Sequence, residues 1–281
     1  MEHIKTALER AQQERQYAGL DPSNQSARSS TPGTDSITYT QTRSVKVSER
    51  LLTENRIISG LQTAELADAY KILRTQILQR LTENNWNALA ITSPGVQEGK
   101  TLTAINLAIS LAMEVNYTVL LVDANLRHPS IHEYFGIRPE RGLSDYLTGG
   151  ANIQDILIRP EGIGNCILLP GGKPLLNSSE LLNSPKMSLL VDELKTRYPS
   201  RIVIFDLPPL LTASDALAFS PYVDAALLVV EEFKTKTQDL ERAAELLKGT
   251  NLIGTALNKS RALISGNANG GWLGRLLRKQ G

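Results

Sequence analysis

Cysteine is almost absent. Cys166 is the single one in 281 residues, which excludes an internal disulfide framework and a multi-thiolate metal site. Placed just before the apolar run Ile167-Leu168-Leu169, it reads as a buried strand thiol. Histidine is nearly as scarce. His128 and His132 are spaced i, i+4, but they flank Pro129 and lack a carboxylate-histidine pattern, so zinc binding is not expected. No run of about 18 apolar residues exists, so no membrane span is expected. The opening Met1-Glu2-His3-Ile4-Lys5 lacks the apolar core of a signal peptide, and a cytoplasmic protein is expected. Charge of one sign is missing too. A formal net charge of +1 supplies no global field for nucleic acid or membrane.

Large apolar residues are also missing from one stretch, Gly19 to about Thr42, which is Ser, Thr, Asn, Gln, Pro and Gly. Such a segment cannot bury enough surface to offset its ordering entropy, so it reads as a disordered linker. A short charged helical pattern (Ile4, Leu8, Ala11) precedes it. The chain therefore divides into residues 1–50, a short helix plus linker; 51–260, a folded domain; and 261–281, a flexible basic tail.

Within the folded part, Leu66, Tyr70, Leu73, Ile77 and Leu81 recur at helical spacing, predicting an amphipathic helix from about Thr63 to Glu83. Asp68, Lys71 and Arg74 fall mostly on its solvent side. Beyond it, short continuous apolar runs occupy 88–91, 119–122, 167–169, 202–205, 225–230 and 252–257, which suits strands buried on both faces. Helical stretches at 102–115 and 236–248 lie between some of them, Gly249 being a plausible stop. Such alternation predicts an α/β fold: a doubly wound, mostly parallel sheet with helices on both faces.

The run 88–91 leads into Thr92-Ser93-Pro94-Gly95-Val96-Gln97-Glu98-Gly99-Lys100-Thr101 and then a helix that is apolar almost all round. A glycine-bearing loop between a strand and a helix N-terminus aims backbone N–H groups at an anion, and the helix dipole adds to the attraction. Lys100 can reach the β and γ phosphates of ATP, and the Thr101 hydroxyl can ligate Mg²⁺. Gly95 and Gly99 complete the phosphate loop (P-loop), although the usual first glycine falls one place earlier, on Pro94. Asp123 and Asp206 each end an apolar run. A carboxylate at the C-terminal tip of a parallel strand sits in the crevice where such folds bind ligands, so Thr101, Asp123 and Asp206 form the expected metal set.

Gly99-Lys100-Thr101, Val122-Asp123-Ala124-Asn125-Leu126-Arg127 and Phe205-Asp206-Leu207-Pro208-Pro209 resemble the Walker A, A′ and B motifs of bacterial tyrosine kinases. These are the P-loop kinases that control capsule and exopolysaccharide production. The resemblance runs from about Arg56 to Lys259 and looks closest to the exosortase-associated tyrosine autokinases. It implies that Lys100 binds phosphate, that Asp123 activates the acceptor hydroxyl, and that Arg127 sits beside the phosphates. It also implies that Asn258 reads the adenine edge, where a strand-end turn is the other reading. Asp68, Lys71 and Arg74 resemble the element through which such kinases form rings; an exposed i, i+3 ion pair is the alternative. An inner-membrane polysaccharide chain-length or co-polymerase protein is the implied partner.

Two features depart from that family's pattern. Asn125 stands where a second Walker A′ aspartate is usual, and an amide brings no negative charge to a metal. No tyrosine follows Tyr222, so the usual C-terminal acceptor cluster is missing. Tyr39, in the linker, is then the first choice of acceptor, ahead of tyrosines packed in the domain such as Tyr134. A non-catalytic ATP-binding assembly switch is the main alternative. A partition-type ATPase is disfavoured, because such proteins begin this loop with a lysine where Gly95 stands.

Overall fold

The computed structural model describes residues 42–58, 64–198 and 200–260. The leading helical pattern, the polar linker with Tyr17 and Tyr39, and the basic tail all lie outside the described residues.

Eight strands form one sheet: β1 (Arg43–Val45), β2 (Ala88–Thr92), β3 (Thr118–Asp123), β4 (Ile158–Pro160), β5 (Cys166–Leu169), β6 (Arg201–Asp206), β7 (Ala225–Glu231) and β8 (Asn251–Asn258). Their order is β1-β4-β5-β3-β6-β2-β7-β8, and every pairing is parallel except β4 with β5. Every strand expected from an apolar run is present. Because both faces of the sheet are covered, alternation survives only as a division between two cores. Leu89, Ile91, Val119, Leu121, Ile202 and Ile204 point into one core; Ala88, Ala90, Leu120, Val122, Val203 and Phe205 point into the other.

The sheet begins upstream of the boundary placed at residue 51, since Arg43–Val45 pairs with Ile158–Pro160. Neither three-residue strand had a visible signal. A strand so short, with charged residues beside it, has no periodicity to read.

The helices introduced in chain order are α1 (Glu49–Glu54), α2 (Ala64–Asn84), α3 (Lys100–Ala112), α4 (Ile131–Tyr134), α5 (Leu143–Leu147), α6 (Ile153–Ile156), α7 (Ser178–Leu182), α8 (Pro185–Thr196), α9 (Asp215–Phe219) and α10 (Thr237–Leu246). Helix α3 is buried at every position but Leu102, because the sheet lies on one side and α2 on the other. The predicted stripe of α2 supplies that outer layer through Ile77 and Leu81, with Tyr70 and Leu73 alongside. Truncating Leu81 to alanine would cost roughly 2–5 kcal/mol, as buried leucines do. Helix α8 starts where Ser184 accepts the Met187 N–H at 3.2 Å and Pro185 takes the first turn, a start encoded locally.

Arg74 corrects the expectation of a solvent-facing position. Its guanidinium donates to the Ser110 carbonyl at 3.1 Å and pairs with Glu114 at 2.8 Å, tying α2 to the end of α3. The Arg74 side chain is only 18% exposed. Asp68 and Lys71 do face solvent and form the i, i+3 pair at 2.8 Å. Cys166 is buried at the start of β5, and burial pushes its thiol up to about 12.

Candidate functional site

The strand tips set the site. Asp123 ends β3, Asp206 ends β6, and the two are direct neighbours in register; Ile91 of β2 lies on the other side of Asp206. The loop from Ser93 to Gly99 therefore leaves the sheet beside both carboxylates. All three motifs meet at the C-terminal ends of the central strands, although more than a hundred residues separate the first from the last.

The loop is stitched from outside. The amide Nδ2 of Asn258 donates to the Glu98 carbonyl at 2.9 Å, Lys259 Nζ to that of Gln97 at 2.9 Å, and Lys234 Nζ to that of Val96 at 3.0 Å. Glu98 is buried and accepts the Gly95 N–H at 2.9 Å on one oxygen and the Thr235 hydroxyl on the other. The first-turn N–H groups of α3, which have no intrahelical acceptor, belong to Lys100, Thr101 and Leu102, residues that line the cleft. Gly99 has φ +91°, and a Cβ there would lie 1.9 Å from the Asn258 amide nitrogen, so only glycine fits. Gly95 differs from Gly99: its N–H is spent inside the loop on Glu98.

Lys100 Nζ lies 3.1 and 3.3 Å from the two oxygens of Asp206 and 3.0 Å from the Thr101 hydroxyl. That hydroxyl donates to Asp206 at 2.7 Å. Asp206 is fully buried; desolvation raises its pKa, against the opposing pull of Lys100 and Thr101. Asp123 is also fully buried, and one of its oxygens accepts the N–H groups of Ser130 at 2.8 Å and Ile131 at 3.0 Å. Its other oxygen, Oδ1, has no partner. Desolvation, and then the negative charge of Asp206, push the Asp123 carboxyl up to about 7.

Asn125 donates through Nδ2 to the His128 carbonyl at 3.1 Å, and its Oδ1 is likewise buried without a partner. Two orphaned acceptors beside a hydroxyl and a second carboxylate form a hard-oxygen donor set, the kind Mg²⁺ takes. The residues present therefore fit Mg²⁺, with Asn125 as a neutral member of the set. A cleft of about 1100 Å³ opens over these groups, lined by Gly99, Lys100, Thr101, Asn125, Arg127 and Asn258 among others. Arg127 reaches it with its Nε held by Asp215 at 3.1 Å. Asn258 thus serves the loop through its N–H group while facing the cleft.

Three contributors carried no usable signal in the sequence. Glu98 was visible only as a loop residue, and its burial depends on β7 and β8. Asp215 reads locally as the start of a short helix. Tyr134, expected to be packed away, lines the cleft, because α4 is a single turn that buries Ile131 and leaves Tyr134 only partly covered. Burial and the nearby Asp206 charge raise its hydroxyl pKa.

Residues 89–261 match the family described as AAA domain. The chain is 31% identical to tyrosine-protein kinase YwqD of Bacillus subtilis (strain 168), over 68% of this chain and 80% of that one. It is 33% identical to tyrosine-protein kinase etk of Escherichia coli (strain K12), over 69% of this chain but only 27% of that much longer protein. The crystal structure of the VpsO kinase domain superposes with a TM-score of 0.63 at 33% identity, covering 70% of this chain and 96% of that one. With the phosphate loop, both acidic strand tips and the parallel sheet in place, the chain belongs to the bacterial tyrosine-protein kinase family of P-loop proteins.

Proposed function

We propose that this chain is an ATP-dependent protein-tyrosine kinase that regulates exopolysaccharide chain length or export. The observation that carries the reading is the cluster Lys100–Asp206–Thr101, set beside the unpartnered Oδ1 atoms of Asp123 and Asn125. Thr101, Asp206 and Asp123 would hold Mg²⁺, which when bound neutralises charge developing on the phosphates. Lys100 and the N–H groups of the loop bind the phosphates, Arg127 approaches them from the β3 side, and Asn258 faces the adenine. Asp123 takes the proton from the acceptor hydroxyl. Phosphoryl transfer asks for position and charge, and the strand tips supply both.

The implied partner is an inner-membrane chain-length or co-polymerase protein, which would bring the chain to the membrane. No described helix is long and apolar enough to cross one. Self-association would use the exposed Asp68 and Lys71, with Arg74 serving α3 instead. The exosortase-associated branch is the proposed subgroup, on the polar leading segment and Ala112-Met113-Glu114-Val115.

A second reading, an ATP-gated assembly switch that phosphorylates nothing, is favoured by Asn125, which brings no negative charge to the metal. A phosphotyrosine blot after incubation with Mg·ATP, run beside Lys100→Ala, separates the two. Signal in the parent and none in the variant supports the kinase. No signal in either, with nucleotide still bound by the parent, rejects it for the switch.

A further inference from the structure

Asp215 is fully buried at the start of α9, six residues beyond the Phe205–Pro209 motif and outside all three motifs of the site. Its two oxygens have two different partners: Arg127 Nε at 3.1 Å on one, and the hydroxyl of Ser178, itself fully buried, on the other. Arg127 is half-exposed, and the cleft is what it is exposed to. A guanidinium held by its Nε–H keeps the donors of its two terminal nitrogens, in a fixed plane, for an anion. The segment that supplies Ser178 grips the same stretch of chain a second time, since Leu175 N–H donates to the Leu126 carbonyl at 2.8 Å. Leu126 is the residue before Arg127. Backbone and side chain are thus fixed by one surrounding frame, running Leu126, Leu175, Ser178, Asp215 and back to Arg127.

An ordinary surface arginine needs none of this. A buried carboxylate is costly unless paired and hydrogen-bonded, and here one partner, Ser178, holds the carboxylate while the other is the Arg127 side chain at the cleft. We infer that Asp215, braced by Ser178, is a positioning residue that orients the Arg127 guanidinium toward the nucleotide phosphates. The inference rests on the proposed placement of Arg127 beside those phosphates.

The test uses the full chain and a fluorescent non-hydrolysable ATP analogue with Mg²⁺, so it does not require kinase turnover. The affinities of Arg127→Ala, Asp215→Asn, Ser178→Ala and the double variant Asp215→Asn with Arg127→Ala are measured, with thermal unfolding beside each. Arg127→Ala is expected to weaken binding about tenfold, the ordinary worth of one charge-assisted contact. Asp215→Asn should lose nearly as much, and the double variant should lose no more than Arg127→Ala alone. That non-additivity is what a merely structural role would not produce. If Asp215→Asn fails to fold, Ser178→Ala decides, with a loss of a few-fold that vanishes when Arg127 is also removed. Normal affinity in Asp215→Asn and Ser178→Ala, or losses that simply add to that of Arg127→Ala, would overturn the inference while leaving Arg127 in place. Full affinity in Arg127→Ala would overturn it by removing Arg127 from the phosphates. A Lys100→Ala control that still loses binding would confine that failure to Arg127 and leave the nucleotide site standing.

Discussion

Asp123 and Asp206 sit at the same level on adjacent strands, equally buried, and yet they are provided for differently. Asp206 is served by a lysine and a hydroxyl from α3, so its charge has compensation inside the protein. Asp123 has only two backbone N–H groups on one oxygen, and nothing on the other. The first is a carboxylate the fold itself requires to be paired. The second is left incomplete, and completing it requires a proton or a cation. The two carboxylates are thus served unequally: Asp206 binds Lys100 and Thr101, and one oxygen of Asp123 is left without a partner.

Lys100→Ala breaks the Asp206 side and should have the largest effect. Loss of the phosphate contact should weaken Mg·ATP binding at least about a hundredfold. It also strands a buried carboxylate, so thermal stability should fall by about 3 kcal/mol. Nucleotide titration and thermal unfolding read the two effects separately. An unchanged affinity would reject the phosphate-loop assignment, and an unchanged melting point would mean that Asp206 does not depend on the lysine. Asp206→Asn should follow in size. Metal-dependent turnover should drop far more than nucleotide binding measured without metal, and equal values for variant and parent would remove Asp206 from the metal.

The Asp123 side is tested by pH. Its folded pKa of about 7 lies above its ordinary carboxylate value, so the folded state holds a proton that the unfolded state releases. The stability this proton contributes is fully present near pH 4 and is lost as pH rises toward 7, at no more than about 1.4 kcal/mol per unit. Mg²⁺ must displace the same proton, so its affinity should climb across that window and level off above it. Calorimetry of Mg²⁺ binding at pH 6.5 in two buffers of different ionisation enthalpy should register proton release. Asp123→Asn should shrink both pH dependences, leaving the share carried by Asp206, whose carboxyl is raised in the same direction, and a variant that kept them in full would assign the proton to another group.

Much of this arrangement is legible before folding. Asp123 and Asp206 declare themselves because each stands at the end of an apolar run, and Lys100 and Thr101 because they close a glycine-bearing loop between such a run and an apolar helix; both signals are local. The stripe on α2 and the strands of the central sheet are local in the same sense. What depends on distant partners is not. Arg74 looks solvent-facing on its own helix and is claimed by Ser110 and Glu114 of another segment. Asp215 and Ser178 are ordinary helix-start residues until tertiary packing joins them to Arg127. Strand β1 has three residues and no period, and it exists because β4 offers it an edge.

Asn125 offers the smallest and most discriminating change, since it shares the incomplete side with Asp123. Asn125→Asp adds a second carboxylate next to an orphaned one, which in isolation favours a divalent cation. Two features oppose the gain. The amide of Asn125 donates to the His128 carbonyl, and a carboxylate cannot, so one contact becomes a repulsion between two oxygens. A third negative charge near Asp123 and Asp206 also raises the cost of emptying the site, which pushes the Asp123 carboxyl higher still. The net expectation is a few-fold tighter Mg²⁺ binding at pH 8, shrinking or reversing at pH 6.5 as the added charge holds its proton. Mg²⁺ titrations at the two pH values decide the matter. A gain at both would mean that the His128 contact is dispensable and the site lacked only charge. A loss at both would mean that this member of the family has rebuilt its metal shell around the neutral oxygen of the amide, and Asp123 would then be its sole adjustable carboxylate.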